Sequence, residues 1–318
     1  MRRAALAVAV ALAAAVVVQP AGVAAPGVDD IEPVSVTAAA ELSATRGERW
    51  TDERIAEAIR TAKPLAPPVN AGSARRSRST GQVEPRSIAE PAAVAGAGAS
   101  ALPAPATHGR MYLVNPDGST VAWCSASVVN SGSRNLISTA AHCIHSGEGG
   151  GWHFTEAFFV PQLHGTSRPH GIFWAQRWTV WSEWIDDSDF DYDYGFVNLA
   201  ARGGQNVVDV VGANGLRVNA GYDQTVVVWG YPAEAPYPGD VPYYCDGLGT
   251  YSEWFTSDIY VDCAMTPGAS GGPWLVDYDY GSSLGYVNAI TSRVDEDRTY
   301  TLSSYFDEWV AELYYYVD

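Results

Sequence analysis

From residue 108 onward the sequence consists of short runs of β-branched and aromatic residues, and this pattern constrains the fold more than any other feature. Clusters of Gly, Pro, Asn and Asp separate the runs, as turn residues separate the strands of antiparallel sheets. We predict strands at 111–114, 125–129, 154–160, 207–211, 225–229 and 287–291. Many short strands of this kind are typical of an antiparallel sandwich or barrel, so the sequence predicts an all-β fold.

The C-terminus breaks the strand pattern. Apolar residues there recur at the three- and four-residue spacing of one helix face: Phe306, Trp309, Val310, Leu313 and Val317. Either Ser303 or Ser304 stands where an N-cap residue would accept hydrogen bonds from the first helical turn. We therefore predict one helix that closes the chain.

The first 25 residues have the organisation of a secretory signal peptide. A short basic start, Met1-Arg2-Arg3, precedes an apolar run over 4–18 and small residues at 23–25. The run is too short to cross a membrane comfortably, and no later stretch approaches eighteen uninterrupted apolar residues. The sequence predicts a signal peptide over 1–25 and a secreted, extracellular protein of a bacterium, with no membrane association after signal cleavage.

Residues 26–105 form a leader that differs in composition from the rest of the chain. This leader is rich in Ala, Pro, Ser, Gly and Arg and poor in large apolar side chains. One helix is predicted over 52–62, where apolar residues share a face. We interpret the leader as the largely unstructured propeptide of a zymogen, with a disordered spacer as the alternative. The basic cluster at 74–79 fits either a processing site or a solvated run.

The charge of the chain is strongly acidic. The formal net charge is −17, and residues 106–318 hold 26 acidic residues against 8 arginines. Such a surface repels nucleic acid backbones and anionic membranes, so we expect no nucleic acid partner. With 47% apolar and 17% charged residues, the chain can nevertheless build a packed core, which we assign to one domain over 106–318.

Four cysteines lie in the β-rich region, at Cys124, Cys143, Cys245 and Cys263. Export into an oxidising compartment favours disulfides, and the chain has no Cys-x-x-Cys pair that would favour zinc instead. Four cysteines allow three pairings, and composition does not choose among them. Pairing of nearest neighbours would close two loops of 18 and 17 intervening residues, each stabilising by about 3 kcal/mol.

Three short motifs carry chemistry. Residues 138–143 read STAAHC, residues 193–199 read DYGFVNL, and residues 267–273 read PGASGGP. A serine between glycines can be approached closely by a substrate, but its hydroxyl needs a base, and the base needs an acid to fix its tautomer. The order His, Asp, Ser matches one of the known arrangements of such a triad.

The first and third motifs resemble those of the chymotrypsin-like serine proteases, in particular their secreted bacterial branch with trypsin-like and glutamyl-endopeptidase-like members. The resemblance covers roughly residues 106–318. It implies two antiparallel six-stranded β-barrels with the active site between them, a closing C-terminal helix, and a monomeric serine endopeptidase that acts on proteins or peptides. It implies no cofactor and no metal.

The resemblance also implies the role of each site residue. Ser270 would be the nucleophile, His142 the general base and then acid, and Asp193 the residue that orients His142. The backbone N–H groups of Gly268 and Ser270 would form the oxyanion hole, in which losing one donor typically costs about 3–4 kcal/mol. We choose Asp193 over Asp191 because strand alternation follows it, as in the family's acid motif.

The acidic residues over 186–193 and the remaining histidines suggest no metal site. The acidic run lacks the glycine and the distal glutamate of an EF-hand loop, so we favour a solvated loop over a calcium site. His142 and His145 are three residues apart, but no third ligand is in view.

Two departures from the family bear on regulation and specificity. Many animal members carry Asp directly before the nucleophile, where it pairs with a newly cut N-terminus; here that residue is Ala269, so we expect activation without an inserted ammonium group. Trypsin-type members carry Asp six residues before the nucleophile; here that residue is Ala264, so a preference for basic side chains is not supported. Arg293 could attract an acidic side chain, although we favour a solvated arginine.

Two alternatives to a peptidase remain open at the level of sequence. The first is a catalytically silent member of the family that serves as a binding module, although no triad residue is missing. The second is an esterase or transacylase activity on the same fold. Labelling with a fluorophosphonate separates a silent module from either kind of enzyme.

Overall fold

We describe the protein from a computed structural model of the chain. The described residues are 31–66, 84–94, 105–115, 117, 119–251, 258–295 and 297–318. The predicted signal peptide over 1–25 and the basic cluster at 74–79 lie outside the described residues. None of the helices among the described residues is long and apolar enough to cross a membrane.

Strands dominate the described residues after position 105, as the sequence pattern predicts. In chain order the strands are β1 (Pro33–Thr37), β2 (Arg86–Ala89), β3 (His108–Val114), β4 (Thr120–Val129), β5 (Leu136–Thr139), β6 (Glu156–Pro161), β7 (Phe173–Trp181), β8 (Gly195–Leu199), β9 (Gly215–Val218), β10 (Gln224–Gly230), β11 (Tyr243–Tyr251), β12 (Ile259–Asp262), β13 (Pro273–Asp279), β14 (Leu284–Ile290), β15 (Arg293–Val294) and β16 (Tyr300–Ser303).

The helices among the described residues are short, and four of the six lie before residue 62 or after residue 307. In chain order they are α1 (Ala40–Ala44), α2 (Arg46–Arg49), α3 (Asp52–Thr61), α4 (Ser182–Asp187), α5 (Val207–Val211) and α6 (Glu308–Val317). Two single turns of 3-10 helix occur in addition, at Ala141–Cys143 and Phe190–Tyr192.

The first sheet closes into a six-stranded antiparallel barrel. Its strand order is β7-β6-β3-β4-β5-β8, and β8 pairs back onto β7. Strand β1 of the leader adds to the far end of β7, with Pro33 opposite Trp181 and Thr37 opposite Arg177. Closure buries both faces of several strands, and every residue of β3 and β6 is buried. The first of the two predicted barrels is therefore confirmed.

The second sheet has nine strands in the order β15-β16-β12-β11-β10-β13-β14-β9-β2. Pairings among the described residues do not close this sheet, so a second barrel stays a prediction while the all-β class is confirmed. The sheet surrounds a core to which β10, β12, β13 and β14 contribute, with Trp274 fully buried at its centre. The loop that carries the serine motif connects β12 to β13.

Two details of the sequence prediction are wrong. Residues 207–211 form the short helix α5 rather than a strand, because the side chains of Asn206 and Asp209 make a capping box that starts a helical turn. Helix α6 is present, but its N-cap is Asp307, whose carboxylate accepts a hydrogen bond from the Trp309 N–H (2.9 Å). Ser303 instead ends strand β16.

The leader contains more regular structure than the one predicted helix. That helix is present as α3, capped by Thr51, and its apolar face buries Ile55, Ala58 and Ile59 against the first barrel. Strands β1 and β2 and helices α1 and α2 also belong to the leader. Their residues are too weakly patterned to reveal structure locally, and they are ordered by pairing and packing with residues far along the chain.

The cysteines form two disulfides between nearest neighbours, Cys124–Cys143 and Cys245–Cys263. The first joins β4 to the turn that carries His142, and the second joins β11 to the segment after β12. The structure thus selects one of the three pairings that the sequence leaves open. Each bridge lies within one sheet, beside a segment that leads to a site residue.

Candidate active site

His142 lies in the buried 3-10 turn that follows strand β5. Small neighbours, Ala140 and Ala141, are fully buried and let the turn pack tightly, and Cys143 ties the turn to β4. The His142 carbonyl is in hydrogen-bond contact with Nε2 of His153 (2.9 Å). The imidazole of His142 is 1% exposed, so its position is held by packing on every side.

Asp193 holds His142 through both of its carboxylate oxygens. Oδ1 accepts a hydrogen bond from the backbone N–H of His142, and Oδ2 contacts Nδ1 of its ring, each at 2.8 Å. Asp193 stands between the second 3-10 turn and strand β8, and it is fully buried. The alternative acid, Asp191, is also buried, but the contacts of His142 are with Asp193. With Nδ1–H bound to a carboxylate, Nε2 is left as the basic nitrogen.

Ser292 is a part of this arrangement that the sequence analysis missed. Its hydroxyl donates a hydrogen bond to Oδ2 of Asp193 (2.5 Å) and is buried. Asp193 therefore accepts three hydrogen bonds, which compensate for burying its negative charge. A serine at the end of a strand carries no local signal of this role, because the contact spans 99 residues of sequence.

Ser270 lies in a turn that only glycines can form on either side of it. Gly268 has φ +101° and Gly271 has φ +79°, conformations that other residues rarely adopt. A Cβ at Gly268 would lie 2.4 Å from the Trp123 ring, and one at Gly271 would lie 2.2 Å from the Thr139 hydroxyl. The turn thus packs directly against the segment that leads into His142.

Ser125 fastens this turn to the first barrel and was also missed by the sequence analysis. Its backbone N–H donates to the Ser270 carbonyl (2.8 Å) and its hydroxyl donates to the Gly268 carbonyl (2.8 Å). The same hydroxyl accepts a hydrogen bond from the N–H of Tyr231 (3.0 Å). One fully buried serine on β4 therefore fixes the orientation of the peptide that follows Gly268.

Three polar groups of the turn have no partner in the described part of the chain. The N–H groups of Gly268 and Ser270 make no hydrogen bond there, and neither does the Ser270 hydroxyl. Nε2 of His142 is buried and also makes none, so the contact expected between Ser270 and His142 is not formed. Catalytic hydrogen bonds are often long before a substrate binds and tighten in the complex.

A second buried carboxylate, Asp258, lies near Asp191 and Asp193. Arg293 pairs with Asp258 and stacks on the Phe190 ring, with its guanidinium 4.3 Å from the ring centroid. Burial raises the pKa of Asp258 to about 7, against the attraction of Arg293 and with added repulsion from Asp191 and Asp193. The Arg293 side chain is only 12% exposed, so the interpretation of a solvated arginine is wrong.

The described residues contain one group with the spacing of metal ligands, formed by Cys124, His142 and Cys143. Both sulfurs of this group belong to a disulfide, and Nδ1 of His142 is engaged by Asp193, so the donor chemistry does not suit a metal ion. The acidic run divides: Asp186 and Asp187 are exposed, whereas the last two aspartates of the run are buried.

The sequence matches a known family over this site. Residues 124–285, just over half of the chain, match a family described as a trypsin-like peptidase domain. This chain belongs to the trypsin-like peptidase family. The membership places the chain among the serine endopeptidases, a class of hydrolases, as the resemblance of the first and third motifs implies.

Solved structures share the fold. A thermostable serine protease AL20 from an extremophilic microorganism is 29% identical, with a TM-score of 0.61 and coverage of 67% of this chain and 96% of that chain. Protease Anisep from Arthrobacter nicotinovorans is 28% identical, with a TM-score of 0.60 and coverage of 66% and 94%. The architecture of this family member is therefore that of bacterial chymotrypsin-like serine proteases.

A curated relative matches a shorter region of this family member. An extracellular metalloprotease of Bacillus subtilis (strain 168) is 29% identical over 98 residues, which cover 31% of this chain. The chain spans 30% of the length of that relative. The term metalloprotease is part of the name of that relative and applies to that protein alone.

Proposed function

We propose that this protein is a secreted serine endopeptidase that hydrolyses peptide bonds in proteins or peptides through an acyl-enzyme. The observation that carries the proposal is the pair of contacts from Asp193 to the backbone and ring of His142. They leave Nε2 as the only basic ring nitrogen, at the end of the imidazole that a nucleophilic hydroxyl would use. Membership in the trypsin-like peptidase family supports the same reaction.

In the proposed reaction, the Ser270 hydroxyl attacks the carbonyl carbon of the scissile bond while Nε2 of His142 takes its proton. The N–H groups of Gly268 and Ser270 donate to the developing oxyanion; their freedom from other hydrogen bonds in the described part supports this role. His142 then protonates the leaving amine, and water, deprotonated by the same nitrogen, hydrolyses the acyl-enzyme. Asp193 keeps His142 in the required tautomer throughout.

The activity is tested by labelling the purified protein with a fluorophosphonate and by digestion of casein. We expect labelling of one serine and casein cleavage, and we expect Ser270→Ala to abolish both, because it removes the only atom that forms the covalent bond. Removing a triad member typically reduces kcat by several orders of magnitude. A protein that is folded but does not label is a silent binding module; labelling without peptide cleavage indicates an esterase or transacylase.

The domain organisation belongs to the same proposal. Residues 1–25 direct export and are removed, residues 26–105 act as a propeptide, and residues 106–318 form the protease domain, active as a monomer. N-terminal sequencing of the protein recovered from culture medium tests this organisation, since cleavage after residue 25 alone would contradict a removable propeptide. Light scattering of the active form tests the monomer.

A further inference from the structure

The leader forms a short strand beside the active site. Residues 63–65 run parallel to strand β4 at Trp123: the Trp123 N–H donates to the Lys63 carbonyl (3.0 Å), and the Leu65 N–H donates to the Trp123 carbonyl (2.9 Å). Strand β5 pairs with β4 only at Ser127–Val129 and leaves the edge of Trp123 open. The leader fills that edge as an added β-strand would.

Trp123 belongs to the wall of the active site on the side of His142. Its ring packs against Gly268, one of the two proposed oxyanion donors. The next residue, Cys124, is bonded to Cys143, the neighbour of His142 in sequence. In the proposed reaction His142 protonates the leaving amine, so the departing part of a substrate lies on this same side. An extended substrate would pass the backbone of Trp123 there.

Residues 46–62 of the leader anchor this strand. Glu156 of strand β6 is fully buried and accepts hydrogen bonds from Arg46 (3.1 Å), Arg49 (2.6 and 3.0 Å) and the Trp50 indole (3.1 Å). Helix α3 then packs its apolar face into a cluster with barrel residues: Tyr112, Val114, Phe158, Val160 and Leu163. The anchor holds residues 63–65 at a high effective concentration beside Trp123.

We propose that residues 63–65 are an intramolecular inhibitor strand, which occupies the backbone edge of Trp123 and competes there with the leaving-group side of a peptide substrate. This inference rests on the proposed function. The strand occupies only that side, so it competes with extended peptides and not with small acylating reagents, which need no contact with the edge of Trp123. The leader then inhibits cleavage of long substrates more than cleavage of short ones, and it does so without disturbing the arrangement of the catalytic groups.

The test compares two substrates on the full chain carrying its leader. One is a peptide extending three residues beyond the scissile bond, and the other is an ester of the same acyl group with a small leaving group. Leu65→Pro removes the N–H that bonds to Trp123, whereas Leu65→Ala shortens the side chain but keeps that N–H. Losing one such hydrogen bond weakens strand docking by about fivefold.

We expect the ratio of kcat/KM for the peptide to that for the ester to rise about fivefold in Leu65→Pro and to stay within about twofold of wild type in Leu65→Ala. Glu156→Gln, which loosens the anchor without touching residues 63–65, should move the ratio in the same direction, so the inference does not depend on one variant. Equal ratios in all four proteins would overturn the inhibitor strand. Absence of fluorophosphonate labelling in every protein would overturn the proposed function, and the strand's role with it.

Discussion

Two buried serines, Ser125 and Ser292, orient the proposed oxyanion loop and the Asp193 carboxylate. The Ser125 hydroxyl links the Gly268 carbonyl to the Tyr231 N–H, so it orients the loop from which the proposed oxyanion donors project. The Ser292 hydroxyl orients the Asp193 carboxylate by donating a hydrogen bond to its Oδ2. Neither residue is a proposed nucleophile, acid or base. Both are positioning residues, because their hydroxyls act on backbone or carboxylate groups that contact the reacting atoms.

We expect Ser125→Ala to lower kcat about tenfold with little change in KM, because losing its hydrogen bond to the Gly268 carbonyl, worth about 1.5 kcal/mol, lets the oxyanion loop move. Steady-state kinetics on a peptide substrate measures the effect. The matched control is Ser127→Ala, two residues along the same strand, where the hydroxyl accepts a hydrogen bond from Asn214 (3.0 Å) and does not touch the loop. Equal loss of kcat in both variants would contradict a positioning role for Ser125.

At the scale of elements, the barrel and the leader meet at a buried charge. Burial by itself would raise the pKa of Glu156, but hydrogen bonds from Arg49, Trp50 and Arg46 outweigh burial and lower it below the ordinary 4.5. A carboxylate whose pKa falls on folding stabilises the folded state above its ordinary pKa. The contribution is lost as the pH falls through the lowered value. Docking of α2 and α3 is therefore strongest at neutral pH.

We expect Trp50→Phe to lower the free energy of unfolding by about 2 kcal/mol more than Trp178→Phe at pH 7. Both changes remove a buried indole, but among the described residues the Trp178 indole nitrogen has no hydrogen-bond partner, whereas that of Trp50 donates to Glu156. Urea unfolding of both variants in a Ser270→Ala background measures the difference. The difference should shrink as the pH falls below 4.5 and through the lowered pKa of Glu156, because the carboxylate then becomes protonated. A difference that stays unchanged down to the lowest pH at which the protein is still folded would contradict the charged hydrogen bond.

At the scale of the whole molecule, two covalent bridges reinforce the two sheets separately. Cys124–Cys143 closes a loop within the barrel that contains His142, and Cys245–Cys263 closes a loop within the second sheet. The sequence separations are 19 and 18 residues. Each bridge restricts the unfolded chain to a similar degree, so neither sheet depends on the other for this part of its stability.

We expect replacement of either cysteine pair by alanine to lower the free energy of unfolding by about 3 kcal/mol, which corresponds to a melting temperature roughly 6–12 °C lower. Calorimetry of the two double variants and of the quadruple variant, each with Ser270→Ala to prevent self-digestion, measures this. Because the two bridges belong to different sheets, their effects should add to within about 0.5 kcal/mol. A loss confined to one pair would show that the other bridge is dispensable.

Prediction from the sequence succeeds where a local pattern carries the information. The strand pattern predicts six of the sixteen strands, β3, β4, β6, β8, β10 and β14. Helical spacing predicts α3 and α6, and the glycines around Ser270 indicate a turn that other residues cannot form. It fails at α5, where a capping box of Asn206 and Asp209 outweighs the β-branched residues between them. It also fails at the cap of α6, because serines and aspartates near a helix start are equally good caps.

Four features could be predicted from the sequence alone: the all-β class, the closing helix, the order of the three motifs and the family that these motifs resemble. Each of them depends on residues that are close together in the sequence. Only the tertiary structure decided which cysteines pair, which aspartate holds His142, and that Ser125 and Ser292 support the site. The contacts of the leader with Glu156 and with the backbone of Trp123 are likewise seen only in the tertiary structure. These contacts join residues 18 or more positions apart, and nothing in a local stretch of sequence specifies which distant group will form the contact.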